Sequence, residues 1–140
     1  MRQNDRSDRK NLVLLRGDRC VAIMNRFPYN TGHIMVAPKK HKGKLANLSE
    51  LEMLELMTMT RDMQEVLTNV VRPHAFNIGI NIGRPAGAGV PGHLHIHIVP
   101  RWNGDTNFMP MIAKTKVIPQ ALDKLYIHLK KAINNSELKK

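Results

Sequence analysis

At 140 residues and 42% hydrophobic content, the chain has the size of a single domain with a real core. It carries 22 basic against 11 acidic residues, a formal charge of +11, which favours polyanionic partners such as nucleotides and polyphosphates. A single cysteine excludes an internal disulfide framework and a cysteine-based zinc cluster. No apolar run approaches the roughly 18 residues of a spanning helix, so a cytoplasmic protein with no membrane partner is expected. Much of the positive charge sits near the two ends, and aromatics make up only 4% of the chain without interleaving the basic runs. Nucleic acid is therefore not the expected partner.

In chain order, residues 1–10 are polar and basic and predict a flexible N-terminus ahead of a domain over 11–134. Leu12 to Leu15 predicts a short strand and Gly17-Asp18 a turn. Cys20 to Asn25 predicts a second strand, headed by a buried, inert thiol. Arg26 to Gly32 holds the turn formers Pro28, Asn30 and Gly32. His33 to Ala37 predicts a third strand, closed by Pro38 and the basic loop Lys39 to Lys44.

Ser49-Glu50-Leu51-Glu52 has the form of a capping box, which predicts a helix from there to about Val71, with Pro73 beyond it. Leu51, Leu54, Met57, Met63, Val66, Leu67 and Val70 are assigned to its core face, with the methionines as gap-fillers. From Phe76 to Gly83 the pattern alternates. Phe76, Ile78, Ile80 and Ile82 share one face, assigned to the core, and Asn77, Gly79, Asn81 and Gly83 share the other. Beyond the polar stretch Trp102 to Pro110, Pro119 suits the first turn of a C-terminal helix reaching about Asn134, with 135–140 as a basic tail.

The most informative stretch is Gly92 to Arg101, in which His93, His95 and His97 alternate with Leu94, Ile96 and Ile98. As a strand it presents three imidazoles on one face and aliphatic side chains on the other, whereas a helix would scatter them. Paired antiparallel with the Phe76–Gly83 strand, it would bring the asparagines onto the histidine face. The same spacing could chelate a metal, with His33 able to complete a site, but no carboxylate or thiolate stands close by, and no metal is expected. The loop Gly83 to Gly92 holds four glycines, whose backbone N–H groups can approach a phosphate closely. It is not a Walker loop. Imidazole beside a phosphate cradle can attack phosphorus covalently, while a neighbouring imidazole steadies the phosphoryl oxygens or protonates the leaving oxygen. The middle histidine, His95, is the natural nucleophile.

His93-Leu94-His95-Ile96-His97-Ile98-Val99 resembles the signature of the histidine triad (HIT) superfamily. Asn25 to Pro28 and Gly32 to Pro38 resemble that family's first nucleotide-binding segment, and Asn77 to Arg101 its final hairpin. Pro100-Arg101 is more like the fragile-histidine-triad branch, and the tract Arg101 to Met109 is similar to bacterial members described as diadenosine tetraphosphate phosphorylases. The resemblance implies an α+β HIT fold: about five mostly antiparallel strands with one long helix and a C-terminal helix, assembled as a homodimer. It implies a nucleophile at His95, a phosphate and leaving-group contact at His97, ordering roles for His93 and His33, ribose binding by Asn25, and phosphate contacts at Asn81, Ala88 and Gly89.

The implied activity is nucleotidyl transfer on a dinucleoside polyphosphate through a nucleotidyl-histidine, with inorganic phosphate as co-substrate. No resident cofactor is implied, and Mg²⁺ at most accompanies the substrate. Ile82 stands where fragile-histidine-triad hydrolases carry a phosphate-binding glutamine, which weighs against simple hydrolysis to AMP and ATP. Relatives with the Arg101–Met109 tract often carry an N-terminal extension with a Cys-x-x-Cys pair. No role of such an extension is expected for the sequence as given. Removal of AMP from phosphoramidates or adenylylated DNA is an alternative activity, and a nucleotide-binding signalling module is the non-enzymatic one.

Overall fold

The computed structural model describes residues 5–90, 92–105 and 119–138. Its elements follow in the order α1 (Asp5–Lys10), β1 (Val13–Arg16), β2 (Cys20–Met24), β3 (Ile34–Pro38), α2 (Glu50–Val71), β4 (Ala75–Ile80), β5 (Ile96–Arg101) and α3 (Pro119–Asn135). The strands form one antiparallel sheet in the order β1-β2-β3-β5-β4, so the last strand inserts between β3 and β4. The architecture is α+β, as predicted.

The capping box starts α2. Ser49 Oγ accepts from the Glu52 N–H at 3.2 Å, and the Glu52 carboxylate accepts from the Ser49 N–H at 2.7 Å. Lys42 donates to the same carboxylate at 2.6 Å. That bond, followed by the one from the Ser49 backbone, holds the Glu52 carboxyl down at about 2. At the other end Arg72 turns left-handed at φ +49°, and Pro73 has no N–H with which to continue the helix.

Helix α2 covers β2, β3 and β5, while α3 packs on α2 and β1. Leu56, Met59, Met63, Val66 and Leu67 meet Ala22, Met24, Ile34, Val36, Ile96 and Ile98 in one core, closed by Leu129 and Ile133. Cys20 is fully buried there, and desolvation pushes its thiol up to about 12, so it is inert as expected.

Two expectations are corrected. Leu51, Leu54 and Met57 are 56%, 61% and 59% exposed, because the first half of α2 turns Glu52, Leu56, Met59 and Thr60 inward instead. That half is apolar on two sides, so its periodicity does not choose between them. Ile78, Ile80 and Ile82 are 43%, 37% and 49% exposed: β4 is the edge strand and α2 stops short of it, while Ile82 lies past its end. Helix α1 lies within the N-terminal stretch. Asp8 is buried and accepts from Arg16 at 2.7 Å, and Arg9 pairs with Asp123 of α3 at 2.6 Å. The expected polar stretch after Trp102 lies outside the described residues from residue 106 onward.

Candidate active site

Register decides which side chains share a face. His97 stands opposite Met35 of β3 and Gly79 of β4, while Ile96 and Ile98, opposite Val36 and Ile34, point into the core. Asn77 is opposite Val99, so the asparagine side of β4 does lie on the histidine face. Nothing comes within 4 Å of where a Gly79 Cβ would be, which leaves space beside His97.

The histidine run is shorter as a strand than the alternation predicts. The ladder begins at Ile96, and only His97 of the three lies within it. His93 and His95 occupy a run ahead of it, tied by the Leu94 N–H to the Lys42 carbonyl at 2.7 Å. The Lys39–Lys44 loop crosses this run so closely that a Cβ on Gly43 would lie 2.5 Å from Gly92 Cα. Backbone packing, rather than sheet pairing, therefore aims the first two imidazoles. His95 and His97 still meet edge to face, with ring centroids 4.6 Å apart.

The hydrogen bonds fix a tautomer at each ring. The Tyr29 N–H donates to His33 Nδ1 at 3.1 Å, and the Asn25 amide, oriented by the Phe27 N–H on its oxygen, approaches the same nitrogen at 3.3 Å. Neutral His33 must then carry its proton on Nε2 and donate it to His97 Nδ1, 2.8 Å away. That leaves the His97 proton on Nε2, a buried atom with no partner. Along the run, His95 Nδ1 lies 3.0 Å from the His93 carbonyl and His93 Nε2 lies 2.7 Å from the Pro38 carbonyl. A carbonyl only accepts, so neutral His95 holds its proton on Nδ1 and keeps a lone pair on Nε2. The site thus presents a nucleophilic nitrogen on His95 beside an unsatisfied N–H donor on His97.

Burial maintains the neutral forms. Desolvation, then the charge of His97 and His95, pushes His33 down to about 3. Desolvation, then His95, pushes His97 down to about 4. His33 is 1% exposed and His97 9%, so the donor on His97 is a neutral imidazole at physiological pH.

Asn25, His33 and His97 are joined in one hydrogen-bonded chain, and the His95 ring contacts that of His97. Asn81 instead bonds the Gly87 carbonyl at 3.4 Å, which places it with the glycine loop. Within that loop the Ala88 N–H is taken by the Gly83 carbonyl at 3.2 Å, so it is not free to cradle a phosphate. The Gly89 N–H has no partner among the described residues.

The sequence reading missed several supports. Tyr29 supplies the N–H on His33 and stacks at 5.8 Å on His97. Asn30 bonds the Pro100 carbonyl and Asp105, while Arg101 grips Asp105 and Asn77 and so holds the exit of β5. His41 lies with its ring 5.0 Å from that of His93. No sequence motif marks these contacts. Among the described residues, no group of three or more His, Cys, Asp or Glu side chains is arranged to hold a metal ion.

A five-stranded antiparallel sheet with imidazoles of fixed tautomer on its open face defines a histidine-triad protein. The chain belongs to the HIT domain family, which it matches over residues 6–104. It is 48% identical over 116 residues to the AP-4-A phosphorylase of Mycobacterium tuberculosis, covering 83% of this chain and 60% of that protein. It is 38% identical over 93 residues to the asymmetrical bis(5'-nucleosyl)-tetraphosphatase of Schizosaccharomyces pombe, covering 66% of this chain and 50% of that one. The chain thus spans about half to three fifths of the length of these curated relatives. Among solved structures, it superposes on a hypothetical histidine triad nucleotide-binding protein of Sulfolobus tokodaii with a TM-score of 0.74 and 27% identity, over 89% of this chain and 84% of that one.

Proposed function

We propose that the chain catalyses nucleotidyl transfer on dinucleoside polyphosphates, with diadenosine tetraphosphate as the preferred substrate. The observation that carries this reading is the tautomer pattern, with a lone pair on His95 Nε2 beside a proton on His97 Nε2. His95 attacks the α-phosphorus, the bond from that phosphorus to its bridging oxygen breaks, and ATP leaves. The His97 N–H donates to the phosphate oxygens as charge develops on them. Inorganic phosphate then attacks the adenylyl-histidine, giving ADP and restoring the imidazole. Water in its place gives AMP. The names of the mycobacterial and yeast relatives support the substrate class, and the first of them favours phosphate as acceptor.

Ile23 and Met35, paired across β2 and β3 beside His97, offer half-buried apolar surface for the base. Asn25 is suited to the ribose, and Asn81 with the Gly89 N–H to the phosphates. No resident cofactor is needed in this scheme, and Mg²⁺ serves only as a companion of the substrate. Two chains would pair through the exposed edge of β4, where Ile78 and Ile80 are left uncovered.

The test is product analysis of diadenosine tetraphosphate with and without inorganic phosphate. ADP plus ATP, formed only with phosphate, supports phosphorolysis. AMP plus ATP in both tubes replaces it with hydrolysis. No turnover in either overturns the substrate and directs the assay to phosphoramidates and adenylylated DNA. A His95→Ala variant with unchanged turnover would remove the catalytic role of His95.

A further inference from the structure

A cavity of about 340 Å³ opens beside the first turn of α2, and none of the triad histidines is among its lining residues. Four of its lining residues are cations: Arg19, Lys39, Lys40 and Lys42. They are gathered by the pairing of β2 with β3, which sets Cys20 opposite Pro38, and by the Lys39 N–H on the Arg19 carbonyl at 2.7 Å. Two acids line it as well, Asp18 and Glu52. The Glu52 carboxylate is already held by Lys42 and the Ser49 N–H. Glu55, which pairs with the Arg19 guanidinium at 3.9 Å, also accepts from the backbone N–H groups of Arg19 and Cys20. Lys39 and Lys40 are exposed, and no acid pairs with either among the described residues.

Like charges gathered round one concavity repel each other unless an anion lies between them. The Ser49 hydroxyl already occupies the Glu52 N–H, so the attraction comes from the side chains rather than from the helix end. Lys39 and Lys40, with no acid on either among the described residues, and Arg19, which Glu55 reaches only at 3.9 Å, are spread round a small cavity and match an extended anion with several charged oxygens better than a single compact one. We propose that this cavity is a second ligand site that takes a linear oligophosphate, either free or as the tail of a nucleotide. It stands whether or not the triad performs the chemistry proposed above. It is also physically joined to the triad, because the Pro38 carbonyl orients His93 and the Lys42 carbonyl holds the Leu94 N–H.

The test is titration of the whole chain with inorganic tripolyphosphate, and separately with ATP, followed by amide ¹H–¹⁵N NMR. The proposal expects saturable shifts at Arg19, Lys40 and Lys42 with tripolyphosphate. A Lys39→Gln/Lys40→Gln variant should weaken these about 10-fold, with shifts around Gly89 and His95 unchanged. Tighter binding of ATP at the same amides assigns the nucleotide tail as the source, and equal or weaker binding assigns the free oligophosphate. Shifts confined to the histidine face overturn the proposal, as do shifts that never saturate or an affinity unchanged in the double variant. Both substitutions are at exposed positions. A single Lys40→Gln variant, with an unaltered amide spectrum elsewhere, guards against a folding artefact.

Discussion

His33 Nε2 and His97 Nδ1 lie 2.8 Å apart, although 64 positions separate them in the chain. This bond passes the choice of tautomer from a backbone N–H on Tyr29 to the Nε2–H donor of His97. It is an arrangement of protons, and protons can be observed directly.

Imidazole ¹⁵N spectra near neutral pH should therefore show His33 and His97 with the proton on Nε2, and the neutral form of His95 with it on Nδ1. Asn25→Ala removes one of the two N–H groups aimed at His33 Nδ1. It should mix the His33 tautomers and lower kcat by about 10-fold or more, beyond any change in KM from ribose contacts. A protonated Nε2 on neutral His95 would contradict the nucleophile assignment.

Stability should depend on acid in a defined window. His33 and His97 titrate in the folded chain at about 3 and about 4, against 6.5 for an ordinary histidine. Below pH 6.5 the unfolded chain takes up protons that the folded chain refuses. Their contribution is thus whole above that pH and falls away as the pH drops toward 4. Each histidine should add a slope of up to about 1.4 kcal/mol per pH unit in that window. Urea unfolding of a His33→Gln variant should lose about one histidine's share of the slope, and an unchanged slope would refute the buried neutral assignment.

Gly43 provides a cleaner test of how the first two histidines are aimed. A methyl group at this position would meet the backbone Cα of Gly92 at 2.5 Å, with no flexible side chain to yield. Gly43→Ala should displace the His93–His95 run and reduce kcat by about 100-fold, the scale expected when reacting groups shift by about an ångström. The ladder residues of β5 should keep their amide shifts. Full activity would show that the run is positioned by some other contact.

The proposed pairing of two chains through β4 can be tested at its edge. Ile80→Lys places a charge on the uncovered edge of the sheet without entering the core, since Ile80 is 37% exposed. Sedimentation should show a dimer for the wild type and a monomer for the variant, with little change in the unfolding midpoint of the monomer. A wild-type monomer at micromolar concentration would rule out the proposed pairing.

The alternation in Phe76–Gly83 and in the histidine run foretold an antiparallel pair with Gly79 and His97 on one face, and the register agrees. Ser49 and Glu52 foretold the start of α2 within one residue. These are local facts, carried by side-chain period and by hydrogen bonds within a single turn. Family-like spacing also marked His33, His93, His95 and His97 as one group before any contact was known.

Periodicity says that a face is apolar but not which element will cover it. Only packing decided that Leu56 and Met59 go inward while Leu54 and Met57 face solvent, and that the isoleucines of β4 are left at an uncovered edge. Only packing, likewise, placed the Pro38 carbonyl on His93 and the Tyr29 N–H on His33. Backbone donors and acceptors exist at nearly every residue, and nothing in a residue's identity tells which of them will meet a given imidazole. The sequence determined which imidazoles the proposed chemistry could draw on. The tertiary structure decided which nitrogen of His95 keeps its lone pair and which nitrogen of His97 keeps its proton.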